Sequence, residues 1–164
     1  MKLALQSTLI KAIQEAMHET AMAFFYTDIG LQDGPALTME ESQPHLTHRA
    51  DVTAIVSFQG PIAGGVHLSA PSHAAIALAA TFAGEPIESF DTTAQDALGE
   101  LTNILAGALK SRISDNIDLT PPRIVYGTDP QDRPTILSEK STRCYFMTTH
   151  GPLYVEVFHD EVTV

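Results

Sequence analysis

The chain is 164 residues long, 44% hydrophobic and 18% charged, a globular composition with enough length to bury one sizeable core. Nine Lys and Arg against 20 Asp and Glu leave a formal charge of −11 with His neutral, which excludes a general basic surface for nucleic acid or anionic lipid. The single cysteine, Cys144, allows no internal disulfide and points to a reducing compartment.

The first predicted element is a helix over Ala4–Phe25, with Leu5, Leu9, Ile13, Ala16 and Phe24 at helical spacing. Gln6, Lys11, Gln14 and Glu15 interrupt its apolar run, so it reads neither as a signal peptide nor as a membrane span. A soluble cytoplasmic domain is the expectation. From Thr27 to Arg49 the pattern is broken by Gly30, Gly34, Pro35 and Pro44, which predicts a long connection carrying one short strand near Ala36-Leu37-Thr38. Asp51–Gln59 alternates as a strand, Gly60-Pro61 turns the chain, and Gly65–Ser69 returns to complete a hairpin.

Ser69-Ala70-Pro71 opens an alanine-rich helix through Phe82, and Gly84 is its left-handed C-cap candidate. Thr92 followed by Gln95 is a capping-box pattern that opens the longest helix, Thr93–Ser114. Thr120-Pro121-Pro122 prevents its continuation. A strand over Arg123–Tyr126, a polar loop through Gln131–Pro134 and a hairpin with arms Ser141–Thr149 and Leu153–His159 complete the chain. Hairpins without βαβ alternation imply antiparallel pairing. The expected fold class is therefore α+β in two layers, a single domain over residues 1–164 with helices packed on one large, mostly antiparallel sheet.

The longest helix carries the chemical signal. Ala94, Ala97, Leu98, Leu101, Ile104, Leu105, Ala108 and Leu109 form its core stripe, and Asp96, Gly99, Glu100, Asn103, Ala106, Gly107, Lys110 and Ser114 its outer face. Gly99 and Gly107 each cost roughly 1 kcal/mol relative to alanine inside a helix, a cost tolerated where something must approach the backbone closely. Glu100 and Asn103 are neighbours on that face. A carboxamide there can donate to a phosphoryl oxygen and accept from a water, holding the water for in-line attack. The carboxylate is suited instead to a partner lysine. By spacing alone, Glu-x-x-Asn is a weak pattern, more often simply what the solvated face of an amphipathic helix carries.

The surrounding residues, Asp96-Ala97-Leu98-Gly99-Glu100-Leu101-Thr102-Asn103-Ile104-Leu105-Ala106-Gly107, resemble the signature helix of the CheX/CheC/FliY family of chemotaxis phosphatases, closest to its CheX members. The resemblance extends over about Asp51 to Phe158 and takes in the hairpin with Gly64-Gly65, the helix ending at Gly84, Pro121-Pro122-Arg123-Ile124-Val125-Tyr126-Gly127 and the terminal hairpin. It implies an enzyme that dephosphorylates a CheY-like response-regulator receiver. Asn103 would position the hydrolytic water and Glu100 would pair with a receiver lysine, with Asp96, Gly99, Gly107 and Lys110 forming the docking surface. It further implies that Mg²⁺ belongs to the phosphorylated receiver, that the chain carries no cofactor or metal of its own, and that it forms a homodimer. The first helix offers Glu15-Ala16-Met17-His18 and no second Glu-x-x-Asn, so one site per chain is expected. The alternative is a non-catalytic receiver-binding or flagellar-switch-like adaptor, which has no need of the pair.

Other patterns are weaker. His45-Leu46-Thr47-His48 lacks the ligand count of a zinc site. Ser57, Ser69, Ser72 and Ser141 have no nucleophile-elbow context, and Gly60–Gly65 lacks the Lys of a phosphate loop. Cys144 reads as packing rather than reactivity. Tyr154 and Glu156 alternate out of the last strand towards solvent or a dimer partner, with nothing to choose between them.

Overall fold

The computed structural model describes residues 2–24, 30–38, 51–60, 63–113, 116–126 and 141–159. The elements are α1 (Lys2–Phe24), β1 (Gln32–Thr38), β2 (Val52–Gln59), β3 (Gly64–Ala70), α2 (Ser72–Ala83), α3 (Thr92–Ile113), β4 (Asp118–Leu119), β5 (Arg123–Tyr126), β6 (Ser141–Thr148) and β7 (Gly151–His159). The seven strands form one sheet in the order β1-β6-β7-β3-β2, and every pairing is antiparallel. Along the outer edge of β2, β4 pairs at Phe58-Gln59 and β5 at Val52–Ile55.

Period-two alternation sorts the sheet into two faces. Val52, Ala54, Val56 and Phe58 of β2, Val66 and Leu68 of β3, Cys144 and Phe146 of β6, and Leu153, Val155 and Val157 of β7 share one apolar cluster with the helices. Into it α1 sends Leu9, Ile13, Ala16 and Met17, α2 sends Ala74, Ala75 and Leu78, and α3 sends Leu98, Leu101, Leu105 and Leu109. Each fully buried leucine contributes roughly 1.5–3 kcal/mol, so the helix layer is held by this face rather than by helix propensity. The fold is the expected α+β class, three helices on an antiparallel sheet. No described helix is long and apolar enough to cross a membrane.

Helix α3 packs against both α1 and α2 and reaches β2, β3, β4 and β5. Its C-terminal end is tied to α1 by Arg112, which pairs with Glu15 at 3.5 Å and also with Glu19. Its N-terminal half packs on α2 through Ala79, Ala94 and Ala97. The helix carrying the candidate site is thus braced at both ends.

Several boundaries differ from the sequence reading for identifiable reasons. Strand β1 begins at Gln32, so Gly34-Pro35 lies within a strand rather than breaking the chain. The register slips between Asp33 and Ala36, and β1 is at the sheet edge, where a bulge and a proline are tolerated. The N-cap of α3 is Asp91, not Thr92: its Oδ1 accepts from the Ala94 N–H at 2.9 Å. Pro71 offers no side-chain cap to α2, and Asp51 accepts from the Ser72 N–H at 3.0 Å instead. Gly84 takes the expected left-handed cap (φ 71°), with its N–H on the Ala80 carbonyl. A two-residue β4, which no sequence pattern indicated, precedes the proline pair.

Candidate functional site

On α3 the steps 96, 100, 103, 107 and 110 are alternately four and three residues, which at 3.6 residues per turn trace one strip along the helix. Asp96, Glu100 and Asn103 on this strip are exposed, and Gly107 and Lys110 are half-buried. Glu100 and Asn103 are adjacent turns of the same face, with Cβ atoms about 5–6 Å apart in an ideal helix. At Gly107 a Cβ would meet, among the described residues, no heavy atom beyond its own stretch of helix within 4 Å, so nothing described in this chain accounts for a glycine there.

The flank of the strip differs from the sequence reading. Ala106, assigned to the outer face, is 0% exposed. Gly99 is buried as well, and Pro122 lies over it: a Cβ at 99 would be 3.3 Å from Pro122 Cγ. The close approach that Gly99 permits is made by the chain's own proline, and Gly99 offers no exposed surface to a partner. Ile104 and Ala108, assigned to the core stripe, are half-buried. At Gly99 the physical reason is Pro122, in the segment between β4 and β5, whereas Ala106 packs into the main apolar cluster with Leu105 and Leu109. Pro122 is the residue that sequence patterning missed, because a contact across 23 positions leaves no periodic trace. Ser114, His45, His48 and the loop at 131–134 lie outside the described residues.

The electrostatics of the strip are acidic. No Lys or Arg occurs between Ala50 and Leu109. Glu85, Glu88, Asp91, Asp96 and Glu100 are all exposed around the N-terminal half of α3. Of the two cations that follow, Arg112 is engaged with α1, and Lys110 ends the strip. Among the described residues, no group of three or more His, Cys, Asp or Glu is placed to hold a metal ion.

Two perturbed groups lie away from α3. On the sheet face opposite the helices, Arg143 donates to Glu156 at 2.8 Å, is 3.3 Å from the Tyr145 hydroxyl and stacks 4.4 Å over the Tyr154 ring. Burial works to lower the Arg143 pKa, but Glu156, Tyr145 and Tyr154 outweigh it and hold the guanidinium above its ordinary value. Tyr154 and Glu156, for which sequence left solvent or a partner open, are buried within the single chain at 6% and 5% exposure. On the helix-facing side, burial and then Asp33 push the Cys144 thiol up to about 12, so the expected packing role holds and a thiolate is disfavoured.

A family model described as chemotaxis phosphatase CheX matches residues 52–148. A comparison with curated proteins finds no match. Among solved structures, the fold is similar to a CheC-like superfamily protein from Shewanella sp. PV-4, with TM-score 0.76 and 21% identity over 94% of this chain and 98% of that one. It is similar also to the CheX–CheY–BeF3–Mg²⁺ complex from Borrelia burgdorferi, with TM-score 0.72 and 17% identity over 93% and 97% of the two chains. FliY of Thermotoga maritima aligns with TM-score 0.60 and 15% identity over 88% of this chain and 83% of that one.

Proposed function

The chain belongs to the CheX family of chemotaxis phosphatases, and from that premise we propose that it hydrolyses the aspartyl phosphate of a CheY-like receiver domain. The observation that carries the reading is the exposed pair Glu100 and Asn103 on one strip of α3 beside the open backbone of Gly107. The Borrelia burgdorferi relative, solved as a complex with CheY, supports a receiver as the partner.

Asn103 is the catalytic residue in this reading. Its Oδ1 accepts from the attacking water and its Nδ2 donates to a phosphoryl oxygen, which holds the water in line with the bond to be broken. The water oxygen bonds to phosphorus as the P–O bond to the receiver aspartate breaks. The water's protons leave on inorganic phosphate, and the receiver carboxylate is regenerated. Asn103 is neither charged nor consumed. Glu100 would repel a phosphoryl group at close range, so it pairs with a receiver lysine and fixes the docking register. Mg²⁺ arrives with the receiver, the chain supplies no cofactor, and a homodimer presents one strip per chain.

The second reading is an adaptor that docks a receiver without turnover; the similarity of the fold to the FliM–SpeE complex from H. pylori, with TM-score 0.60 and 12% identity over 94% of this chain and 84% of that one, fits it. One experiment separates the two. CheY-like receivers of the same organism, phosphorylated with a small-molecule donor, are followed for phosphate loss with and without the chain. Accelerated loss supports the phosphatase reading. Binding without acceleration selects the adaptor, and neither binding nor acceleration refutes both.

A further inference from the structure

The segment that lies over Gly99 is anchored on both sides. The Thr120 N–H donates to the Ser57 carbonyl at 3.0 Å, and the Ser57 N–H donates to Thr120 Oγ1 at 2.9 Å. Immediately beyond it, β5 begins at Arg123, paired with Ile55 of β2. Between these anchors stand two consecutive prolines, each with φ fixed near −65° and without an N–H, so the bridge is stiff. Its ring stands over Gly99, immediately before Glu100 and one turn before Asn103, so near that a Cβ at 99 would be 3.3 Å from Pro122 Cγ. Alanine at 99 would be favoured by roughly 1 kcal/mol as a helix former. Its methyl would lie 3.3 Å from Pro122 Cγ and 3.4 Å from Pro122 Cβ, so the ring would have to give by a few tenths of an ångström.

We propose that Pro122 is a positioning residue for the α3 site. Standing over Gly99, it transmits the rigidity of the β2 edge to the helix turn that carries Glu100 and Asn103, and so sets the depth at which the Asn103 carboxamide stands. The inference rests on the phosphatase reading above, and it concerns turnover rather than docking. The geometry needed for in-line attack is tight: about 1 Å of misplacement costs about 10²-fold in rate, so a few tenths of an ångström costs about 3- to 10-fold.

The test is a cycle of Gly99→Ala, Pro122→Ala and the double variant, assayed for phosphate release from a phosphorylated CheY-like receiver, with thermal unfolding measured alongside. Gly99→Ala drives the ring away from α3, and Pro122→Ala removes Cγ and leaves a gap. In the double variant the 3.3 Å contact no longer exists, and the new methyl meets the remaining Cβ at 3.4 Å. Each single variant is expected to lower kcat about 3- to 10-fold with KM unchanged, and the double to recover to within about twofold of wild type. Unchanged kcat in the single variants, a change confined to KM, or strictly multiplicative effects in the double overturn the inference. If Gly99→Ala does not fold, the kcat-against-KM split of Pro122→Ala, read against the double, decides. Loss of turnover in Asn103→Ala with no kcat effect at Pro122 refutes the positioning role alone. Full turnover in Asn103→Ala refutes the phosphatase mechanism itself.

Discussion

Replacing Gly107 by alanine adds one methyl group to the outward strip of α3 without meeting, among the described residues, any heavy atom beyond its own stretch of helix within 4 Å. The residue lies inside the helix, more than one turn before its end at Ile113, and is not among the glycines with positive φ. Folding therefore gains: alanine is better than glycine by about 1 kcal/mol in a helix interior, partly through the lower entropy of the unfolded chain. For a domain of this size that raises Tm by about 2–4 °C. Docking loses, because the methyl stands on the strip between Asn103 and Lys110. A partner lifted by about 1 Å loses about 10²-fold in rate, so kcat/KM for receiver dephosphorylation should fall by at least about 10-fold. Calorimetry and the phosphate-release assay on one preparation give both numbers. A raised Tm with unchanged kcat/KM refutes the idea that the partner approaches α3 here, and a lowered Tm refutes the open ledge.

Further outcomes follow from the sheet and from the charge distribution. Arg143→Met leaves Glu156 buried without its cation and should cost about 3–5 kcal/mol in denaturant unfolding; a cost below about 1 kcal/mol refutes the burial of the pair. The Cys144 thiol titrates at about 12 in the folded chain against 9.0 unfolded, so its proton is lost first by the unfolded state. Stability is unaffected below about pH 9 and falls between about pH 9 and 12, by up to about 1.4 kcal/mol per pH unit, and Cys144→Ala should remove that part of the slope. Raising salt from 0.1 to 1 M shortens the screening length from about 10 to about 3 Å and should slow association with a lysine-presenting receiver about 10-fold. An association rate independent of salt contradicts steering by Glu85, Glu88, Asp91, Asp96 and Glu100.

What could be read from sequence follows the range of the interactions involved. Local periodicity located α1, α2 and α3 to within a few residues, because an apolar stripe and a glycine or proline stop are properties of neighbouring positions. The exposed placement of Asp96, Glu100 and Asn103 was legible for the same reason. Gly34-Pro35 misled because an edge strand absorbs through a bulge what a central strand cannot. Gly99 reads as outward because its cover comes from Pro122, a neighbour brought in only once the sheet has formed, while Ala106 packs into the main apolar cluster beyond the edge of the helix's apolar stripe. Tyr154 and Glu156 stayed open because alternation sorts a strand into two faces without saying that the second is also buried. The ordered blocks around Glu100 and Asn103 carried the resemblance, and the family model matches the region that contains them.

The decisive measurement is single-turnover phosphate release from a phosphorylated CheY-like receiver with saturating wild-type chain and with saturating Asn103→Ala, together with the affinity of each for that receiver. Asn103 is exposed, so its truncation leaves the core of the fold intact. Loss of one positioned polar group in a transition state costs about 10²- to 10³-fold. The expected result is a fall of that order in the stimulated rate, with affinity within about threefold of wild type, since the proposed function assigns the docking charge to Glu100. Equal stimulation by both proteins contradicts water positioning by Asn103.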